Sequence, residues 1–274
     1  MPELPEVEVL RRSLEPWVVG TTVESALIRR TDLREPVDRL AVERRIVGRR
    51  FLGVDRRAKY LLLRLEGDST LIIHLGMSGR MTIVPPEHAV EPHEHLSFLL
   101  SSGLTMRFRD PRRFGLCLAL ETSKLASDPH FAHLGIEPLS SEFSGRALRE
   151  LARGRRAPVK SFLMDGRIVV GVGNIYACEA LHRAGVHPKR SVARISPERW
   201  ELIARAIADV LLQAIEQGGT TLNDFRNAAG DSGYFQVSLS AYGREGDACS
   251  NCGGEIRRIV QAGRSTFYCP RCQR

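Results

Sequence analysis

The chain has 274 residues, 43% hydrophobic and 26% charged. That composition suits a globular protein long enough for two domains, whose core does not depend on cross-links. No apolar run approaches the roughly 20 residues of a membrane-spanning helix, and the acidic start Met1-Pro2-Glu3-Leu4-Pro5-Glu6 lacks the basic-then-apolar pattern of a signal peptide. A cytoplasmic protein is expected, and its net charge of +8 favours an anionic partner, of which nucleic acid is the usual one.

In chain order, residues 3–18 read as a helix. Leu4, Val7, Leu10, Leu14 and Trp17 recur at helical spacing, Pro2 and Pro5 sit in the first turn, and Gly20 follows as a stop. Residues 21 to about 120 read as β-rich. Candidate strands cover 22–29, 50–56, 60–65, 70–75, 80–84, 96–100 and 104–108, the last two flanking a Ser101-Ser102-Gly103 loop. Many short strands with brief turns suggest a sandwich or barrel. From about 143 the period turns helical, with segments at 146–153, 159–164, 174–184 and 197–217. The last is the clearest, with Ser196 as cap, Pro197 at the first position and a stripe from Trp200 to Ala214. Residues 218–240, rich in Gly, Asn and Asp, read as a long loop of the kind that usually carries function.

Four of the six cysteines lie near the end as two CxxC knuckles, Cys249-Ser-Asn-Cys252 and Cys269-Pro-Arg-Cys272. Four thiolates at this spacing predict one closed, tetrahedral, structural zinc site with no open position for chemistry. Ile256, Ile259, Val260, Phe267 and Tyr268 between the knuckles predict a β-hairpin. Five arginines against one acid from 249 to 274 make this region a candidate phosphate or groove binder. Cys117 and Cys178 stand alone and read as small buried hydrophobes.

No Walker A or HExxH motif is present, and Gly171–Gly173 reaches Tyr176 where a dinucleotide fingerprint needs its third glycine. A tight turn presenting the Asn174 helix N-terminus to a phosphate fits better. Pro2 offers a different chemistry. Removal of Met1, expected before a small residue, frees a secondary amine. An α-amine has a pKa of roughly 7.7–8.0, so part of it is nucleophilic near neutrality. Condensation with an aldehydic carbon would give a permanently charged iminium, an electron sink that drives elimination, with Glu3 close enough for acid–base work. By local pattern alone, Pro2-Glu3 reads first as an ordinary helix start, ahead of the nucleophile.

The run Pro2-Glu-Leu-Pro-Glu-Val-Glu8 resembles the N-terminal signature of the bacterial formamidopyrimidine-DNA glycosylases. The resemblance continues in register through Ala58-Lys-Tyr60, His74-Leu-Gly-Met-Ser-Gly79, Asp110-Pro-Arg-Arg-Phe-Gly115, Val172-Gly-Asn-Ile-Tyr-Ala177, Gly218-Gly-Thr-Thr-Leu222, Gly233-Tyr-Phe-Gln236, Tyr242-Gly-Arg244 and the zinc knuckles. It implies an α+β multidomain protein. An N-terminal catalytic helix and β-sandwich domain (1–135) would precede a helix–two-turn–helix domain with a lesion-capping loop (136–240) and a zinc-finger hairpin (241–274), with DNA in the cleft between the halves.

The implied activity is that of a monomeric, nucleoid-associated base-excision-repair glycosylase and AP lyase acting on double-stranded DNA with oxidised purines or abasic sites. By this resemblance Pro2 is the nucleophile toward C1′ and Glu3 the general acid/base. Lys59, Asn174 and Arg264 contact phosphates, with Lys59 and Arg264 also counted in the catalytic set. Met77, Arg112 and Phe114 fill the gap left by the extruded base. Lys160 and Tyr242 lie at the DNA, and Glu6, Thr220 and Thr221 at the damaged base. Leu4 favours the purine branch over the endonuclease VIII-like branch, which acts on oxidised pyrimidines. Asp231-Ser232-Gly233 departs from the family's usual loop and leaves lesion preference open. A zinc-hairpin protein that binds damaged DNA without turnover is the alternative of another class.

Overall fold

The computed structural model describes residues 2–219 and 239–274. They fall into two compact units. The first holds the chain up to Ala132 and takes it up again at Gly218. The second holds residues 133–217 and the described residues from 239 onward.

The first unit opens with helix α1 (Leu4–Val18), which buries Leu4, Val7, Leu10, Leu14 and Val18. Trp17, expected in this stripe, is 46% exposed. At about 100° per residue, Val18 falls nearer the centre of the stripe and takes the core position. Fully burying each such side chain is worth roughly 1.5–3 kcal/mol, so this face alone fixes the helix to the sheets behind it.

Those sheets form a sandwich, as the strand pattern implied. Among the described residues, one antiparallel sheet runs β1-β6-β7-β5, from β1 (Val23–Ile28), β6 (Glu94–Leu100), β7 (Thr105–Arg109) and β5 (Arg80–Val84). The other runs β2-β3-β4-β8, from β2 (Phe51–Arg57), β3 (Tyr60–Leu65), β4 (Ser69–His74) and β8 (Leu116–Glu121). A continuous apolar core that includes Phe51, Leu63, Ile73, Phe98 and Phe108 fills the unit. One strand and one α-helix of this unit had no counterpart in the sequence reading: β8, and the short helix α2 (Arg39–Ile46) capped by Asp38. Cys117 lies buried on β8, as expected of a small hydrophobe.

Glu8 ties α1 to β2. Its carboxylate meets Arg11, Arg12 and Arg56, and Arg11 also donates to the Val54 carbonyl. Burial raises the Glu8 pKa, but the arginines outweigh it and hold the carboxyl below its ordinary range. Such a group stabilises the fold above the unfolded value of 4.5 and loses that contribution as pH falls through its lowered folded value. Glu8→Gln should therefore lower Tm by several degrees at neutral pH. Thermal melts across a pH series should show that gap closing below 4.5.

The second unit is helical. It contains α3 (Gly145–Leu151), α4 (Val159–Leu163), α5 (Asn174–Arg183) and α6 (Pro197–Glu216), followed by the hairpin β9 (Arg257–Gln261) and β10 (Arg264–Tyr268). Ser196 caps α6 through the Arg199 amide, and the apolar stripe is buried as expected, with Trp200 against Phe162 at 5.6 Å. Gly145 starts α3 where it crosses α6. A Cβ there would lie 2.3 Å from the Glu201 nitrogen, so only glycine permits the approach. No described helix is long and apolar enough to cross a membrane.

Candidate nucleic-acid interface and metal centre

The head of α1 is held from both sides. Glu3 is the N-cap and Glu6 the third helical residue, and the two form a reciprocal capping box in which the Glu3 amide donates to Glu6 Oε2 at 2.7 Å. Both carboxylates are buried, at 2% and 5% exposure. Pro2 is half-buried and stands directly before the first turn. A Cβ on Gly219 would lie 3.4 Å from Glu6 Oε1, so the chain entering the 220–238 segment passes beside Glu6. Thr220 and Thr221 lie outside the described residues.

Lys59 sits in the tight β2–β3 turn beside Ala58, whose φ of 54° is left-handed. The ring of the adjacent Tyr60 packs edge-on against His74 at 4.9 Å. Burial, then Arg34, Lys59 and His130, push the His74 pKa down to about 4. The imidazole is therefore neutral near pH 7, and its Nδ1 accepts the Gly76 amide at 2.9 Å. That bond opens the loop carrying Met77. Met77 is 40% exposed and Phe114 46% exposed, while the Arg112 guanidinium lies 4.9 Å over the Phe114 ring. These are loop-tip side chains in one unit, as the surrounding glycines and proline suggested. Neither Met77 nor Phe114 is core.

In the second unit, α5 places three polar side chains against the C-terminal region. Asn174, its first residue, donates from Nδ2 to the Ser265 carbonyl at 2.9 Å and accepts from Lys160 Nζ. Lys160 is 1% exposed and also donates to Thr266 Oγ1 at 2.6 Å. These bonds make it a brace between α4, α5 and β10. Glu179 accepts the amides of Ser240, Ala241 and Tyr242 at 2.7–2.9 Å. Tyr242 is half-buried, with its ring 5.0 Å from Phe267. His182, a turn further along, places Nε2 3.3 Å from Cys249 Sγ. The other isolated cysteine, Cys178, is buried on the same helix. Arg264 is exposed and opens β10, just after a turn in which Ala262 and Gly263 both have positive φ. That two-residue turn is the kind that suits the strand twist.

The four cysteine sulfurs lie within 4.8 Å of one another. Cys249 and Cys272 are 3.9 Å apart, and Cys252 and Cys269 3.5 Å. Tetrahedral zinc with bonds of about 2.3 Å needs sulfurs about 3.8 Å apart, so the donor set is already close to that geometry. The thiols compete for charge. The Gly254 amide and then Cys272 push Cys252 down, while Cys252, burial and Cys269 push Cys272 up. A divalent cation removes that competition by stabilising every thiolate at once. The four residues fit one structural zinc.

Sequence profiles match this arrangement in order. The formamidopyrimidine-DNA glycosylase N-terminal domain covers residues 1–117, the H2TH domain of the same enzymes 134–226, and the zinc finger found in FPG and IleRS 246–274. A formamidopyrimidine-DNA glycosylase from Syntrophotalea carbinolica is 49% identical over 274 residues, covering 100% of both chains. The chain belongs to the formamidopyrimidine-DNA glycosylase family. Among solved structures, MutM (FPG) from Thermus thermophilus superposes with a TM-score of 0.88 at 40% identity, covering 99% of this chain and 98% of that one. Lactococcus lactis Fpg bound to DNA containing an abasic site gives 0.91 at 32% identity, with 99% of each chain covered. Further complexes of the Lactococcus protein hold DNA with a Fapy-dG or an oxidised pyrimidine.

The family motifs thus fall on a buried helix cap, two exposed loops, a helix start and a hairpin tip. Glu179 and His182 escaped the sequence reading because α5 there shows only a helical pattern, and their partners stand more than 60 residues away.

Proposed function

We propose that this protein is a bifunctional base-excision-repair enzyme that removes oxidised purines from duplex DNA and then cuts the strand. The match to a formamidopyrimidine-DNA glycosylase, 49% identical over the full length, together with Pro2 and Glu3 at the head of α1, carries this reading. Once Met1 is removed, the Pro2 nitrogen attacks C1′ of the lesion nucleotide, the glycosidic bond breaks and the damaged base leaves. Glu3 protonates the sugar ring oxygen, the ring opens, and C1′ becomes an iminium carbon bonded to Pro2. Loss of a C2′ proton expels the 3′ phosphate, and a second elimination expels the 5′ phosphate, leaving a one-nucleotide gap.

Lys59 in one unit, and Asn174 and Arg264 in the other, hold phosphates. Such contacts fix register and carry little sequence information. Met77, Arg112 and Phe114 enter the stack that the extruded nucleotide leaves. Extrusion costs a few kcal/mol, which an apolar wedge partly offsets. Glu6 faces the damaged base, with Lys160 and Tyr242 supporting the DNA-contacting side of the second unit. The enzyme acts as a monomer, in the cytoplasm and at the nucleoid.

The test is borohydride reduction during turnover on duplexes containing 8-oxoguanine. A covalent protein–DNA species of one-to-one mass is expected, joined through Pro2. Tight, salt-sensitive binding with neither trapping nor excision would instead identify a damage-binding protein. Oxidised pyrimidines are a second substrate class, favoured by the Lactococcus relative's complex with such DNA. Parallel assays on thymine glycol and 8-oxoguanine duplexes rank the two.

A further inference from the structure

Met77, Arg112 and Phe114 stand on two loops that are far apart in sequence, between β4 and β5 and between β7 and β8. One buried carboxylate joins them. Asp110 is 0% exposed. Its Oδ1 accepts from Ser78 Oγ at 2.6 Å and its Oδ2 from the Gly115 amide at 2.7 Å. Ser78 Oγ in turn accepts the Arg112 amide at 3.1 Å. The Asp110 backbone is itself fixed, since its amide donates to the His93 carbonyl at 3.0 Å and its carbonyl lies 2.8 Å from His95 Nε2.

We infer that Asp110, acting through Ser78, is the positioning residue that sets the wedge: it locks the two loops into one rigid edge before DNA arrives. Each wedge side chain is one covalent step or one hydrogen bond from the lock. Met77 precedes Ser78, Phe114 precedes Gly115, and Arg112 is held directly by Ser78. Close backbone approach completes it. Gly76 has φ +62°, and a Cβ there would lie 2.4 Å from the Phe114 carbonyl carbon and oxygen. Only a glycine permits that contact. A wedge inserted into stacked bases works only if the loops bearing it do not fold away, and ordering them at the moment of binding would consume the affinity gained. Burying a carboxylate is costly unless its acceptors are satisfied, so its presence between two surface loops specifies one geometry.

The inference rests on the assignment of these three residues as the wedge, and the experiment separates the two. Compare excision of 8-oxoguanine opposite cytosine in a duplex with cleavage of an abasic site in a single strand, where no stack has to be opened. Asp110→Asn replaces one acceptor by a donor facing a donor, and Ser78→Ala removes the bridge without touching the core. Both should lower the duplex-to-single-strand ratio about tenfold or more. They should also weaken discrimination between cytosine and adenine opposite the lesion, while Ser78→Thr, which keeps the hydroxyl, should restore both. Met77→Ala and Phe114→Ala are the controls. If these lower the ratio while folded Ser78→Ala and Asp110→Asn do not, the lock is refuted and the wedge stands. If the controls leave it unchanged, the wedge assignment fails and the lock with it. Should Asp110→Asn not fold, Ser78→Ala decides alone.

Discussion

Glu3→Gln should reduce excision of 8-oxoguanine from duplex DNA by about a hundredfold to ten-thousandfold, the range in which a positioned general acid contributes. The helix should survive. Glu3 caps α1 as a hydrogen-bond acceptor through its side chain and as a donor through its amide, and glutamine can serve both roles with its own carbonyl and the unchanged backbone. Thermal melts should therefore move little while single-turnover rates collapse. A loss of activity accompanied by a matching loss of stability would assign Glu3 to the cap and not to the chemistry.

Protein in which Met1 is retained makes the companion test. Its Pro2 nitrogen would be an amide, without a basic lone pair, and trapping should disappear with a loss of about a thousandfold or more in strand cleavage, as expected when a covalent catalyst loses its nucleophile. DNA affinity should remain, because Lys59, Asn174 and Arg264, the proposed phosphate contacts, are untouched. Trapping through any other residue, read by peptide mass mapping of the reduced complex, would overturn Pro2 as the nucleophile.

How much of this was legible before the structure depended on whether the signal was local. The sandwich strands announced themselves as short runs separated by brief turns, and the zinc ligands by a spacing with one reasonable chemistry. Met77 and Phe114 were readable as loop tips because glycine and proline flank them. The elements that were missed lack such local marks. Helix α2 has the sequence RLAVERRI and buries only Val42 and Ile46, so three arginines and a glutamate hide its apolar face. Strand β8 follows directly on the Phe114-Gly115 turn and is defined by its partner β4. Trp17 was misplaced because a large apolar ring draws the stripe toward itself, although the spacing of about 100° per residue puts Val18 nearer its centre.

The site shows the same division. A motif names Asn174, Lys59 and Arg264, but not what steadies them. Lys160, expected at the DNA from the resemblance alone, is a buried brace, since Asn174 Oδ1 and Thr266 Oγ1 supply acceptors that only the folded chain brings together. Asp110 sits inside a motif whose arginines and phenylalanine attract the eye. Its role depends on Ser78, 32 residues earlier. Sequence reading finds chemistry carried by a residue type at a spacing, whereas support carried by long-range hydrogen bonds has to be seen.

That support makes metal removal the second experiment with a large expected effect. The hairpin β9–β10 is a lone two-stranded ribbon, marginal by itself, and the core beneath it counts Ala241, Ile256 and Phe267 with two of the zinc ligands. Four ligands without a cation leave mutually repelling thiolates or costly buried thiols, so loss of zinc should release the hairpin while the sandwich stays folded. Release breaks the bonds from Asn174 to Ser265 and from Lys160 to Thr266 and frees the tip that carries Arg264.

Chelated protein, or Cys252→Ser, should therefore bind abasic-site DNA about a hundredfold more weakly, with a salt slope smaller by about one if the proposed phosphate contact of Arg264 is lost. Zinc-free protein with an unchanged slope would show that Arg264 does not hold a phosphate. His182 grades the effect. A zinc-bound thiolate carries no proton, so with zinc in place the 3.3 Å contact between His182 Nε2 and Cys249 Sγ would have the imidazole as donor. His182→Phe keeps an aromatic ring in that buried place and removes the donor. Losing an outer-shell partner typically weakens metal binding about 10–100-fold, which competition with a chromogenic chelator measures directly. The phenylalanine variant should thus fall between the wild type and Cys252→Ser in both zinc retention and DNA affinity. Zinc retention equal to wild type would reduce His182 to packing between α5 and the first knuckle.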